Sequence, residues 1–459
     1  MTQLSTRDLL RDKKFCTTAL SIGIPVIIAN LITIGLNMMD TLMIGKLGLE
    51  ELAGVGAANR IYSVFIIICF GFYSGSAVHL AQYWGIRDIP NMRRLVGVDM
   101  TFAVGFSLLV MTLGYIFAPA IIGLFLDEPP VIRYGVEYFR AVLLSYGLAS
   151  ISLVFSFLSR SIHRLLAPTL INGVAFVVNT GLNYCLIFGN FGFPELGVKG
   201  AAIATVIART VELIAMLLYV YTAKGHPLAA RLKEMFAWDK PFLKTTIRTT
   251  IPVVLSEGAW SSGQALYYIA YGNLGFAAQA VVQVGSVVSD LFQTTFFGVG
   301  NACAVMIGNE LGRGKRDLAY TYSQLFLRIT AILCVVLTLL LLFSRDLIIN
   351  IYDYDAATNT ILRETLVVYA LFNTPRMLTY TLLVGILRAG GDTTFSSTLD
   401  ILGIWCIGVP LAFLSAKVWG LSLSWVIALS LSDEIIKALI CLWRMKSKKW
   451  MHVLTMVES

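Results

Sequence analysis

Residues 24–85 read IPVIIANLITIGLNMMDTLMIGKLGLEELAGVGAANRIYSVFIIICFGFYSGSAVHLAQYWG, and residues 251–312 read IPVVLSEGAWSSGQALYYIAYGNLGFAAQAVVQVGSVVSDLFQTTFFGVGNACAVMIGNELG. Set side by side without a gap, at a constant offset of 227 residues, they pair Ile24-Pro25-Val26 with Ile251-Pro252-Val253, Gly45 with Gly272, and Leu47-Gly48 with Leu274-Gly275. Phe70-Gly71 then meets Phe297-Gly298, Ala77-Val78 meets Ala304-Val305, and Gly85 meets Gly312. Shared apolar letters mean little in so apolar a chain. Prolines and glycines held in one register mean more, because each marks a special backbone position. The chain is therefore read as two homologous halves.

Of its 459 residues 57% are apolar and 14% charged, against roughly 45–50% and about 25% in soluble domains. Runs of about 20 apolar residues, long enough to cross a bilayer, recur from end to end. Because lipid offers the backbone no hydrogen-bond partner, such runs are helices. The expectation is an all-α polytopic membrane protein with no soluble domain left over. Twelve apolar segments are placed at about 17–43, 54–80, 96–122, 133–158, 168–190, 199–222, 248–271, 281–308, 322–343, 361–387, 394–416 and 419–443.

The loops sort by charge. One set holds Arg7, Arg11, Lys13 and Lys14, then Arg87, Arg93 and Arg94, Arg160 and Arg164, the basic stretch from Lys224 to Arg248, Arg313, Lys315 and Arg316, Arg388, and Arg444 to Lys449. The other holds Glu50, Glu51, Asp127, Glu128, Glu195, Asp353 and Asp355, with Lys46 as a lone cation. The positive-inside rule makes the first set cytoplasmic, with both termini inside. The polar, basic Met1–Lys14 precedes a run without a signal-peptide cleavage site, so nothing is expected to be removed. The net charge of +8 is spread over these loops and reads as contact with the lipid bilayer surface, not with nucleic acid.

The longest polar loop, 223–247, joins a six-helix lobe at 1–222 to a second at 248–459. Halves that enter from the same face are parallel repeats, related by an axis along the membrane normal, and the cleft between them is the natural substrate path. The later parts of the halves repeat more faintly. Ile162-His163-Arg164 resembles Ile386-Leu387-Arg388, and both sites read as cytoplasmic turns.

A charge at the centre of a membrane helix costs about 2.5–3.5 kcal/mol, so a surviving one faces a cavity or a partner. In the first half Asp40 lies within the first segment, and Asn179 and Asn183, spaced i, i+4, share one face of the fifth. With Thr205 they form an oxygen-rich set suited to a hard cation or a proton, and Asp40, Asn179 and Asn183 are the candidate ion ligands. In the second half Glu257 stands five residues after Pro252, and its repeat mate Asn30 stands five after Pro25. Arg376 follows Pro375, and Asp400 sits among Leu399, Ile401 and Leu402. Arg376 is expected to pair with Glu257 or Asp400, since an unpaired guanidinium there would be expensive. Arg209 with Glu212 and Asp433 with Lys437, at i, i+3 and i, i+4, read as self-satisfied structural pairs. His79 and Asp290 are isolated titratable groups in the sequence.

The seven cysteines are scattered singly and read as packing residues. No phosphate-binding loop, nucleophile elbow or zinc-protease motif occurs. An enzyme or an ATP-driven pump is not expected, nor any cofactor, and energy would come from an ion gradient.

The stretch from Asn37 to Gly56 with its Asp40, Ala81-Gln82-Tyr83-Trp84-Gly85, Leu182-Asn183-Tyr184-Cys185-Leu186-Ile187-Phe188-Gly189, Leu196 to Thr205, and Leu387-Arg388-Ala389-Gly390-Gly391-Asp392-Thr393 together resemble the multidrug and toxic compound extrusion (MATE) family over essentially the whole chain. The resemblance implies two six-helix lobes forming a V that rocks between outward and inward states. It implies export of cationic or amphipathic small organic molecules in exchange for Na+ or H+, in a bacterial inner membrane, with the chain acting as a monomer. It gives Asp40, Asn179 and Asn183 the first-lobe coupling positions. Some relatives carry an aspartate where this chain has Asn183. The family's helix 7 glutamate falls near Glu257, but its helix 10 aspartate meets Thr374-Pro375-Arg376-Met377, so that sodium site does not carry over intact. The alternative is a flippase or exporter of a lipid-linked saccharide or anionic metabolite, for which Arg376 would suit a phosphate.

Overall fold

A computed structural model describes residues 13–125, 128–352 and 354–455; Arg7, Arg11, Asp127 and Asp353 lie outside the described residues. Within them the secondary structure is helical and no strand occurs. The first half contributes α1 (Lys13–Gly45), α2 (Leu49–Ile86), α3 (Ile89–Ile116), α4 (Pro129–Ser161), α5 (Leu166–Phe188) and α6 (Gly197–Thr222). The second contributes α7 (Lys240–Gly272), α8 (Phe276–Gly312), α9 (Arg316–Tyr352), α10 (Ala356–Tyr380), α11 (Thr393–Leu402), α12 (Leu423–Ser430) and α13 (Ser432–Lys446). Past its end α10 widens into π-helical turns over Thr381–Arg388, and α11 continues through wide turns to Val418.

Nine of the described helices are long and apolar enough to cross a bilayer. The sequence segments at 248–271, 361–387 and 419–443 fall in helices outside that set. The physical reasons differ: α7 carries Glu257 among many Ser, Thr, Gly and Gln residues, α10 carries Arg363, Glu364 and Arg376, and the 419–443 segment is broken at Leu431 into α12 and α13, of 8 and 15 residues, the second with Asp433, Glu434 and Lys437. Apart from Arg363 and Glu364, these charged residues gather around one interior network.

The chain packs as two compact units. One comprises Pro25–Leu80 and Arg87–Ile247. Its interior is aromatic: Phe72 on α2 stacks on Phe102 of α3 at 3.8 Å, Phe65 stacks on Phe106 at 5.3 Å, and Tyr62 meets Tyr146 of α4 edge-on at 5.1 Å. The polar stretch after α6 is folded onto this unit. Glu234 accepts from the backbone N–H of Arg231 at 2.7 Å and pairs with Arg93 of α3 at 2.6 Å, while Tyr221 donates to the carbonyl of Ala230 at 2.9 Å. The contact is so close that a Cβ on Gly97 would stand 1.8 Å from the carbonyl oxygen of Met235, which only glycine permits.

The other unit comprises the described part of Met1–Ile24, Ala81–Ile86 and Arg248–Ser459. Here the sequence repeat becomes a contact. A Cβ on Gly85 would lie 2.2 Å from the carbonyl oxygen of Asn309, and one on Gly312 would lie 2.0 Å from that of Gln82. Gln82 and Asn309 are themselves repeat mates, so the ends of α2 and α8 cross glycine against backbone twice, in a reciprocal pattern. The tail beyond α13 seals this crossing: Gln82 donates to the carbonyl of His452 at 3.0 Å and accepts from the N–H of Leu454 at 2.7 Å, and the N–H of His452 donates to the carbonyl of Gly390 at 2.8 Å. Trp450 is fully buried against Gly390.

Candidate functional site

The first-half polar residues come together. Asn179 and Asn183 are each 1% exposed on α5, one turn apart. The Asn183 amide donates to Asp40 Oδ1 on α1 at 2.6 Å and to Asn179 Oδ1 at 3.1 Å. The Asn179 amide donates to the Thr205 hydroxyl on α6 at 3.4 Å, and Thr205 donates in turn to the carbonyl of Ala201 at 3.0 Å. Three helices thus supply one hydrogen-bonded string that ends on a single half-buried carboxylate. Asn30, elsewhere on α1, is half-buried and joins no part of this string.

Asn179 and Thr205 also line a small hollow, together with Thr33, Asn172, Arg209 and Glu212. Arg209 and Glu212 pair at 2.6 Å, as their i, i+3 spacing required, and their position on the cavity wall is what spacing did not reveal. The pair presents no net charge to the hollow. Asp40 Oδ1, Asn179 Oδ1 and the Thr205 oxygen each accept a hydrogen bond within the string. Asn183 Oδ1 is buried without a partner; a rotation of that amide would turn an oxygen toward Asp40.

The second-half charges also meet, with a correction to their pairing. Glu257 of α7 is paired with Arg388 at 2.6 Å, not with Arg376, and Arg388 Nη2 is 4.0 Å from Asp400. Ser256 donates to Asp400 at 2.8 Å and accepts from Arg388 at 3.1 Å. Asp400 further meets Lys437 at 3.2 Å, and the same ammonium reaches Asp433 at 3.1 Å and Glu434 at 2.9 Å. Arg376 is half-buried nearby and acts on Asp433 and Glu434 through its field.

The sequence places Arg388 in a cytoplasmic turn, yet its side chain is 4% exposed. The wide turns of Thr381–Arg388 carry it inside, and the chain reverses only after it, through Gly391, whose φ is +83°. Widened turns of this kind are frequent at functional positions. Asp433 and Lys437 do pair, but Glu434 and Asp400 join them, so the pair is not closed on itself. Sequence spacing held a signal for Glu434, which stands i, i+3 before Lys437, and none for Arg388. The first unit adds one more buried acid, Asp99 on α3, which accepts from Ser76 at 2.9 Å and is 0% exposed.

Comparison with known proteins supplies the family context. The model of the family described as MatE matches residues 25–185 and 252–414; its two matches begin at Pro25 and Pro252, in the register of the repeat. The chain is 23% identical over 432 residues to the probable multidrug resistance protein NorM of Thermotoga maritima, covering 94% of this chain and 92% of that one. It is 26% identical over 407 residues to the multidrug resistance protein PmpM of Pseudomonas aeruginosa, covering 88% and 84%. Among solved structures, an outward-facing multidrug resistance MATE family transporter of the MOP superfamily superposes with a TM-score of 0.85 at 17% identity over 98% of this chain and all of that one. The Vibrio cholerae MATE transporter VcmN, in its bent form, gives 0.85 at 18% identity over 95% and 97%.

Proposed function

The chain belongs to the MatE family of multidrug efflux transporters, and from that premise we propose that it exports organic cations and amphipathic compounds from the cytoplasm in exchange for protons, with Asp40 as the exchanging group. The observation that carries this reading is a carboxylate with no cation at contact among the described residues, held by an amide string that lines a hollow. Protonated, Asp40 is neutral and tolerated in the membrane; ionised, it attracts a cationic substrate. A proton and a substrate that compete for one group, each favouring a different conformation, are enough to couple their movements. The protein works in the cytoplasmic membrane with both termini inside, alternating access as a monomer.

The hydrogen bonds favour protons over Na+, because Asn183 turns its N–H groups, and not its oxygen, toward Asp40. A cationic substrate is further supported over the anionic alternative by the hollow's own cation, Arg209, which is already paired with Glu212. The test is efflux of a fluorescent organic cation from proteoliposomes under separately imposed proton and sodium gradients. A proton gradient alone should drive efflux, and Asp40→Asn should abolish the drive. Efflux by Asp40→Asn at the wild-type rate would defeat the mechanism, and drive by sodium alone would replace the proton with Na+ bound through a rotated Asn183.

A further inference from the structure

The acids around Lys437 outnumber the bases that meet them. Glu257, Asp400, Asp433 and Glu434 share one buried network with Arg388 and Lys437, four carboxylates against two bases. Counting Arg376 as a third base through its field still leaves the acids ahead by one. The centre of the network is closed to water: the side chains of Lys437, Asp433 and Glu434 are 1%, 2% and 9% exposed. An uncompensated charge at such a site is expensive, and a carboxylate there is relieved by taking a proton.

Asp433 Oδ2 lies 3.1 Å from the Lys437 ammonium, which it shares with Asp400 and Glu434, and it has no other polar partner among the described residues. The hydroxyl of Tyr267 on α7, a residue 3% exposed, has no hydrogen-bond partner among the described residues. The other titratable groups facing the site are already engaged or apolar in character. Tyr271 bonds Ser430 at 2.6 Å, Asp392 is paired with Arg444 at 2.7 Å, and Cys441 is buried one turn beyond Lys437.

We propose that Asp433, Glu434 and Lys437 form a second proton-binding site, in which one carboxylate of the surplus carries a proton that is given up to solvent when the unit opens. The O–H bond forms on a carboxylate oxygen and breaks there, with no other reactant. Lys437 holds the remaining acids ionised. The proposal extends the reading of the chain as a proton-exchanging transporter and rests on it for its purpose only, because occupancy is read without transport.

The test uses the full-length protein in liposomes, in an Asp40→Asn background so that the first-half acid is silent. Infrared spectroscopy distinguishes the carbonyl stretch of protonated carboxyls from that of ionised ones. At neutral pH, Asp433→Asn and Glu434→Gln should each lose the signal of one protonated carboxyl, because each removes one acid of the surplus. Lys437→Met should gain signal, because it removes the ammonium that holds the neighbouring acids ionised, and Lys437→Arg should leave it unchanged. Should the acid variants not fold, the two lysine variants decide: equal signals from Lys437→Met and Lys437→Arg overturn the proposal. An unchanged signal in folded Asp433→Asn and Glu434→Gln overturns it as well. Neither result touches the efflux test of Asp40.

Discussion

Arg388→Met removes one partner of a pair that the structure holds at 2.6 Å. The guanidinium is 4% exposed and Glu257 18%, so the carboxylate left behind has little water to turn to. Breaking a buried pair from one side costs about 3–5 kcal/mol, and the partial exposure of Glu257 sets the expectation at the lower end, about 3 kcal/mol. Glu257→Gln alone should cost less, about 1–2 kcal/mol, because Arg388 keeps Ser256 at 3.1 Å and Asp400 at 4.0 Å. The double variant Arg388→Met with Glu257→Gln strands neither charge of the pair. It should be less destabilised than the two singles summed, by about 2 kcal/mol of coupling. Chemical unfolding in detergent micelles, followed by far-UV circular dichroism for all four proteins, measures this. A double variant destabilised by the full sum would mean that the contact contributes nothing specific, and the account of the second-half network would fall with it.

Gly312→Ala, whose Cβ would stand 2.0 Å from the Gln82 carbonyl oxygen, should lower stability by about 1–3 kcal/mol in the same unfolding assay, and Gly85→Ala should do the same. Gly97→Leu should lift 232–235 off α3, seen as faster protease cleavage within residues 223–239 at unchanged cleavage elsewhere. His226 in that stretch is 1% exposed, and its Nδ1 accepts from the N–H of Leu228 at 3.3 Å; burial first, and the charge of Arg164 second, push its pKa from 6.5 down to about 4. The folded form therefore binds its proton less readily than the unfolded one, so docking is strongest above 6.5 and weakens as pH falls toward 4; cleavage should quicken over that window in wild type and not in His226→Gln.

The helical class was legible because lipid leaves the backbone no other choice, and the repeat because Pro25, Pro252, Gly85 and Gly312 occupy positions that backbone geometry restricts. Of Asp40, Asn179, Asn183 and Thr205, helix periodicity places only Asn179 and Asn183 on one face; the other two were legible as polar groups stranded in apolar runs. Arg376 misled for a reason of principle: a sequence names buried charges but not their partners, and the wide turns before Arg388 brought a different guanidinium to Glu257. The docking of 232–235 was equally hidden, since a polar loop looks the same whether it hangs free or rests on a glycine.

The two halves have moved their ionisable groups in opposite directions along one register. Where the first half has Asp40 the second has Tyr267, and where the second has Glu257 the first has Asn30. The consequence is electrostatic. Glu257 lies against a fixed guanidinium at 2.6 Å, a charge-assisted contact that gives it a permanent partner. Asp40 is held by a neutral amide, which leaves its charge free to be answered by a proton or a cationic substrate. A carboxylate that must exchange partners cannot keep a permanent one, which is why the proposed exchanging role falls to Asp40 and not to Glu257.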